Sequence, residues 1–308
     1  MTTAADSISL LDQKNWIVEH YKTVQVQIPS CPLADSSLQI TAQTPFQDWT
    51  AEEHEASYYM LQKTIEIWQE QKFAKQYVVY GKERSKEAFQ WEIIPFQTTS
   101  NCFSWFWQQF KVLYRISFGS RELSDKEKQA QLNNYIHRFI LHPNRRKKES
   151  KEEAGTDSFC KQNVIEKQWI LEGRKINVLY NYAPIGFGGE RLHFLFVPKF
   201  HREKFHEVTL EEYAEITEAA KQILNHFSQN RALKGSHLFH KTGKDAGQTV
   251  KHWHLHMILT SNDAQDFFGK LTVLKNMLIG SSKMTDEALQ KKVEDLRGEL
   301  KDLQKKII

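Results

Sequence analysis

In Ala246-Gly247-Gln248-Thr249-Val250-Lys251-His252-Trp253-His254-Leu255-His256-Met257, a glycine-bearing turn runs into three histidines that alternate with Trp, Leu and Met. Apolar residues continue through Ile258 and Leu259, so the run from Lys251 to Thr260 predicts a β-strand. Strand side chains alternate between faces, which puts the three imidazoles on one side and Trp253, Leu255 and Met257 on the other. One face then belongs to a core and the other to a site. The uniformity of both faces argues against histidines that merely decorate a wetted surface. Two functional readings stay open at this point: a metal centre, since imidazole is a common ligand, or a nucleophile flanked by imidazoles that orient it and neutralise an anion.

The residues just upstream separate these readings. Gly243-Lys244-Asp245-Ala246-Gly247-Gln248-Thr249-Val250 leads directly into the strand, and two glycines, a hydroxyl and backbone N–H groups at that place form an anion cradle. A loop that donates N–H groups suits phosphate and not a metal cation. The neighbouring sequence also lacks a second cluster of carboxylates of the metal-binding kind, so no metal ligand is assigned, and a three-histidine metal protein is the third-ranked reading.

The run Ala246 to Met257 is similar to the signature of the histidine-triad superfamily, in which three histidines alternate with apolar residues behind a Gly-Gln-Ser/Thr-Val turn. Ala-Gly-Gln-Thr-Val-Lys-His resembles most closely the fragile-histidine-triad dinucleoside polyphosphate hydrolases. An upstream block agrees: Asn181-Tyr182-Ala183-Pro184, then His193-Phe194-Leu195-Phe196-Val197-Pro198, are similar to the family's Asn-x-x-Pro and its His-hydrophobic-Pro strand. The resemblance spans Gln168 to Thr260. It implies that His254 is the nucleophile, attacking an α-phosphorus to give a nucleotidyl-histidine, with His252 orienting that ring and His256 and His193 facing the phosphates. It further implies that Thr249 and the backbone of Gly247 and Gln248 hold non-bridging oxygens and that Asn181 reaches the sugar. A neutral imidazole attacks at pH 7 without first losing a proton, which suits this role.

Three departures bear on the substrate. Lys241 stands where the family usually carries an amide near the leaving phosphate, so Lys241 is assigned to the phosphates. The stretch Ile185 to Leu192, with Gly186, Gly188 and Gly189, is longer than in the hydrolases and alters the base or sugar pocket. The large N-terminal half resembles two elaborated branches, the mRNA-cap scavenger hydrolases and the dinucleoside tetraphosphate phosphorylases. Phosphorylases and hexose-1-phosphate uridylyltransferases usually replace the last triad histidine by Gln, so His256 favours hydrolysis. A DNA-end deadenylase of the superfamily would bring a zinc finger and a basic face, and neither is present in this sequence. The expected activity is a nucleotide hydrolase or nucleotidyl transferase acting on dinucleoside polyphosphates or related nucleoside phosphoryl conjugates, without a cofactor. The alternatives are a phosphorylase-like transferase, or a non-catalytic nucleotide sensor or scaffold.

Outward from this centre, Gln168 to Leu171, Ile176 to Tyr182, Arg191 to Lys199 and Ser236 to Lys241 predict further strands. A helix after Thr209, with Glu212 completing a capping box, separates them. The fold class is therefore α+β: a histidine-triad-like antiparallel sheet with helices, over residues 166–280, preceded by an α/β extension over 1–165. Within that extension Thr50 and Glu53 cap one helix, and Tyr77 to Tyr80 with Phe89 to Phe96 suggest a hairpin. Phe103, Phe106, Trp107, Phe110, Leu113 and Tyr114 recur at helical spacing, and Ser124 with Glu127 opens another helix; both helices are expected to pack. The charged stretch Pro143 to Ser158 is expected to be an exposed connection. Over 281–308, Leu289, Val293, Leu296, Leu300, Leu303 and Ile307 follow a/d heptad spacing, which predicts either a terminal helix docked on its own domain or a homodimer seam.

Composition agrees with a nucleotide pocket and excludes a nucleic-acid coat. Among 308 residues, 42 Lys and Arg against 38 Asp and Glu leave a net charge of +4, too little for a chain that tracks a phosphate backbone. The 8 Trp, 10 Tyr and 19 Phe supply a sizeable core. Cys31, Cys102 and Cys160 form no disulfide framework and no four-cysteine zinc signature, as expected for a reducing compartment. With no export signal in Met1 to Leu10 and no apolar span of membrane length, a cytoplasmic protein without membrane contact is expected.

Overall fold

Capping chemistry fixes where the long helices begin. In the computed structural model, Thr50 and Thr209 each accept the N–H of the residue three positions on, and Glu53 and Glu212 reach back to the capping residue's own N–H. These boxes open α1 (Ala51–Glu70) and α5 (Leu210–Asn230). A third box, Ser124 with Glu127, opens α3 (Asp125–Leu141), behind α2 (Cys102–Phe118). Among the described residues the remaining α-helices with assigned ends are α4 (Gln162–Gln168), α6 (Asp286–Glu299) and α7 (Lys301–Ile307). The structure describes residues 16–84, 87–99, 101–142, 155–186, 190–231, 233–261, 275 and 281–307. Most of the charged connection 143–158, and Gly188 and Gly189, lie outside them.

Ten antiparallel strands form one sheet: β1 (Ile17–Tyr21), β2 (Val24–Gln27), β3 (Leu38–Ala42), β4 (Gln76–Arg84), β5 (Gln90–Phe96), β6 (Trp169–Glu172), β7 (Ile176–Tyr180), β8 (Leu192–Pro198), β9 (Leu233–Thr242) and β10 (Leu255–Ser261). Their order is β1-β2-β3-β5-β4-β9-β10-β8-β7-β6. The expected hairpin is the β4–β5 pair, and β4 joins the N-terminal strands to β9 with Tyr80 opposite Phe239.

The strand order reads the same from either edge: the N-terminal five strands and the C-terminal five follow one plan. Register carries the repeat to single residues. Ile17 faces Gln27 and Glu19 faces Val26 across a bulge; 152 positions later Trp169 faces Leu179 and Leu171 faces Val178 across the same bulge. Thr50 and Glu53 return 159 positions later as Thr209 and Glu212. Helix α3 packs on edge strand β1 as α6 packs on edge strand β6. The repeat is thus carried by strand order, hydrogen-bond register and cap position.

Helices α1 and α5 pack side by side on one face of the sheet, over Tyr77, Val79, Trp91, Ile93, Leu238, Phe194 and Phe196. Trp253, Leu255 and Met257 lie in this same core, so the apolar side of the histidine run is buried as expected. A buried Arg202–Glu212 ion pair fastens the loop after β8 to the first turn of α5. On the opposite face, α2 covers the N-terminal strands through Val112, which packs with Val78, Tyr80, Ile94, Phe239 and Ile258.

One expectation is corrected here, and of the two alternatives for the heptads the docked helix is the one observed. The aromatic face of α2 does not pack: Phe103, Phe106, Trp107 and Tyr114 are exposed, with the rings along the helix stacked on one another. Periodicity identifies a uniform face but not its direction: of the predicted stripe Leu113 is buried, and it points inward together with Gln109 and Val112. The heptad seam is docked within the chain. Leu289, Val293, Leu296, Leu300 and Leu303 are all buried in the main core, with α6 resting on α4 and β6 and α7 on α5 and β6, so these seam residues are covered within the chain. Among the described residues no helix is long and apolar enough to cross a membrane.

Candidate active site

The histidine strand starts later than expected. Pairing with β8 and β9 begins at Leu255–His256, while His252 and His254 approach on irregular backbone. The reason is local: the Trp253 N–H is taken by the Arg202 carbonyl and the His252 ring donates to the Pro198 carbonyl, at the point where β8 ends. The alternation nevertheless survives, and the imidazoles share the face opposite the α1–α5 core. His193, from β8, joins them.

Hydrogen bonds set the tautomers. His254 Nδ1 donates to the His252 carbonyl at 2.7 Å, which leaves the Nε2 lone pair free as a nucleophile. His193 Nδ1 accepts from the Ile185 N–H at 3.1 Å and from Asn181 Nδ2 at 3.2 Å, so in the neutral ring the proton sits on Nε2. That Nε2–H donates to His256 Nδ1 at 3.0 Å, and His256 is left with its own proton on Nε2. A lone pair on His254 therefore stands beside an N–H donor on His256, the ring centroids 4.6 Å apart. Phe239 stacks on His256 at 4.5 Å and Phe159 meets His254 edge-on at 5.0 Å, which holds both rings in place.

Burial keeps these rings neutral. It lowers His254 to about 4 and His193 to about 3, with the Lys241 cation adding to both shifts, and it drives His256 well below the ordinary imidazole value. Burial also lowers Lys241 to about 8, so it is mostly charged at pH 7. Its ammonium lies over the Phe239 ring at 5.7 Å and beside Gly247, and among the described residues no carboxylate pairs with it.

The turn after β9 is placed as expected but spends its donors differently. The Gly247 N–H donates to the Lys244 carbonyl and the Gln248 N–H to the Gly243 carbonyl, so both amides are engaged inside the turn. The Gln248 side chain accepts from the Gly243 N–H and donates to the Glu203 carbonyl. Gly243 and Gly247 have φ of +96° and +84°, which explains the two glycines. Thr249 is exposed at the end of the turn. Asn181 is likewise committed: its carbonyl accepts the Ala183 N–H and its amide supports His193, so it orients an imidazole in place of reaching outward.

One feature escaped the sequence reading. His252 Nε2 donates to Pro198, so in the neutral ring Nδ1 carries a lone pair, and that lone pair faces Asp157 Oδ2 at 3.2 Å and Cys160 Sγ at 3.5 Å. Asp157 Oδ2 also lies 2.8 Å from His201 Nδ1. The donor atoms of Asp157, Cys160, His201 and His252 all fall within 4.8 Å of one another. The Cys160 thiol and His201 Nδ1 both point their protons at Asp157 Oδ2, and with those protons lost one thiolate, one carboxylate and two imidazoles would form a donor set that suits a four-coordinate zinc-type ion. Only the Asp157-x-x-Cys160 spacing hinted at it; His201 and His252 arrive from distant segments. A cation bound there would neutralise the facing lone pairs and fix His252, whose carbonyl holds the nucleophilic ring.

Residues 162–263 match the HIT domain family. Among solved structures, the chain is similar to a GalT-like protein of Arabidopsis thaliana, at 12% identity over 89% of this chain and 83% of that one, with a TM-score of 0.50. An ADP-glucose phosphorylase of Arabidopsis thaliana with bound ADP-glucose matches at 12% identity over 89% of this chain and 82% of that one, TM-score 0.50. A Plasmodium falciparum diadenosine triphosphate hydrolase matches at 15% identity over 45% of this chain and 80% of that one, TM-score 0.34. At these identities the likeness is one of fold. The first two extend across both halves of the sheet, and none of the three singles out the fragile-histidine-triad hydrolases within the superfamily.

Proposed function

We propose that this chain, which carries a HIT domain over residues 162–263, cleaves nucleoside phosphoryl conjugates through a nucleotidyl-histidine on His254. The observation that carries this reading is the pair of fixed tautomers: a neutral His254 with its Nε2 lone pair exposed, next to a His256 N–H and the unpaired Lys241 ammonium. In the first step His254 Nε2 attacks the α-phosphorus, an N–P bond forms, and the P–O bond to the distal phosphate breaks with its electron pair leaving on oxygen. The leaving phosphate departs as an anion, met by Lys241 and by the His256 N–H, so no proton need move. In the second step an acceptor oxygen attacks phosphorus, the N–P bond breaks with its electron pair returning to His254 Nε2, and a water acceptor gives up one proton to solvent, whereas an anionic phosphate oxygen has none to lose. Splitting one displacement into two is what a neutral imidazole does well.

Water as acceptor makes the chain a hydrolase, the reading His256 favours. Lys241 supports a second one: a partly buried cation without a carboxylate partner among the described residues suits an anionic acceptor such as phosphate or a sugar phosphate, which makes the chain a phosphorylase or nucleotidyl transferase. The two are separated by incubating dinucleoside polyphosphates or nucleoside diphosphate sugars in H2(18)O with and without inorganic phosphate. Label in the mononucleotide product identifies hydrolysis, and phosphate-dependent formation of a nucleoside diphosphate identifies transfer. His254→Asn should abolish either activity while nucleotide binding survives; turnover equal to wild type would refute the mechanism.

A further inference from the structure

The N-terminal half holds no triad, yet two of its side chains grip the turn that precedes the triad. Gln76, at the start of β4, donates from Nε2 to Asp245 Oδ2 at 2.6 Å, and its Oε1 accepts the Asp245 N–H at 2.6 Å. Gln109, buried on the inner face of α2, donates from Nε2 to the Asp245 carbonyl at 2.5 Å. Thus all three polar groups of Asp245, its N–H, carbonyl and carboxylate, are held by N-terminal residues. The Thr99 N–H adds a weaker contact to the same carboxylate oxygen at 3.4 Å. The fit is close as well as polar. A Cβ on Gly243 would overlap the Gln76 side chain, and one on Gly247 would lie 3.3 Å from Lys241 Nζ and 4.0 Å from Gln109 Nε2.

The opposite end of the turn is fastened within the C-terminal half, through Gln248 to the Gly243 N–H and the Glu203 carbonyl. The turn is therefore strung between the two halves of the sheet, and Asp245 is the point at which the first half pulls on it. Lys241, Thr249 and the triad lie on or directly beside this turn, so its position sets theirs.

We propose that Gln76 and Gln109 are positioning residues: the N-terminal half, built on the same strand plan as the catalytic half, acts as a built-in partner that clamps the phosphate turn through Asp245. The proposal rests on the nucleotidyl-histidine reading of the site for its catalytic consequence, but the clamp itself is a structural claim with its own readout. The chemistry of the contacts supplies a charge-swap test. Gln76→Glu keeps an acceptor for the Asp245 N–H but sets one carboxylate against another; adding Asp245→Asn restores a donor opposite the new acid.

Two measurements are made on the full chain: hydrogen exchange of the peptide covering 243–250 without substrate, and steady-state kinetics. Gln76→Glu and Gln109→Ala should lose protection in that peptide and lower kcat by about 10- to 100-fold, the range expected when a reacting group is displaced by about 1 Å, with KM moving less. Gln76→Glu/Asp245→Asn should regain both protection and most of kcat. Unchanged protection and kcat in the single variants would overturn the clamp, as would a double variant no better than Gln76→Glu alone. If the wild type forms no nucleotidyl-histidine, the catalytic reading fails, and the exchange arm still decides whether Gln76 and Gln109 hold the turn.

Discussion

Replacing Lys241 by Met keeps length and apolar bulk beside Phe239 while removing the only charge among the groups placed to meet the leaving phosphate. Burial holds this ammonium at about 8 against an ordinary 10.5. A group with that value is about nine-tenths charged at pH 7 and about one-tenth charged at pH 9. A charge-assisted hydrogen bond in such a site contributes about 1.5–3 kcal/mol, which corresponds to roughly 10- to 100-fold in kcat/KM at pH 7. The sign of the pH effect follows from the lowered value. The cation is present below about 8 and lost above it, so wild-type kcat/KM should fall about tenfold per pH unit beyond that point, and the variant should show no such limb. The assay is kcat/KM from pH 6 to 10 on a dinucleoside polyphosphate or nucleoside diphosphate sugar that the wild type turns over. Wild type and variant should converge at high pH. An alkaline limb that persists unchanged in Lys241→Met, or a deficit equal at every pH, would refute the assignment.

The converging donors of Asp157, Cys160, His201 and His252 should bind about one zinc per chain by elemental analysis; His201→Ala or chelation should remove it and lower the melting temperature, and an equally stable metal-free protein would count against the site. Leu296→Ala, on the buried face of α6, should cost about 2–5 kcal/mol in chemical denaturation without changing the sedimentation coefficient of the folded protein. A change in oligomeric state would show that the seam serves a second copy after all. Asn181→Ala should lower kcat by loosening His193, and Asn181→Ser should recover little, because the serine hydroxyl is too short to reach the ring; a pure KM effect would instead return Asn181 to the sugar.

The histidine face was legible because alternation is a local property. Three histidines at two-residue spacing must share a side wherever the backbone is extended, and Trp253, Leu255 and Met257 must then fill a core. The capping boxes at Thr50, Ser124 and Thr209 were legible for the same reason, since each is settled within four residues. What escaped was non-local or directional. The aromatic spacing of α2 identified a face but not that it points to solvent. The heptads of α6 and α7 identified a seam but not that its partners are α4, α5 and β6 of the same chain. The donor cluster around His252 draws on three separate places in the chain, and the repeat of the two halves is written in strand register. The Gly247 and Gln248 amides looked like free donors because composition names a turn's groups but not how the turn uses them.

The most direct test is to trap the covalent intermediate. Wild-type protein mixed briefly with a radiolabelled or mass-resolved dinucleoside polyphosphate or nucleoside diphosphate sugar, then quenched in base to preserve an N–P bond, is digested and mapped by mass spectrometry. A nucleoside monophosphate adduct on His254, absent from His254→Asn, is the expected result. Turnover with no adduct on any residue, or an adduct on His252 or His256 that survives in His254→Asn, would contradict it.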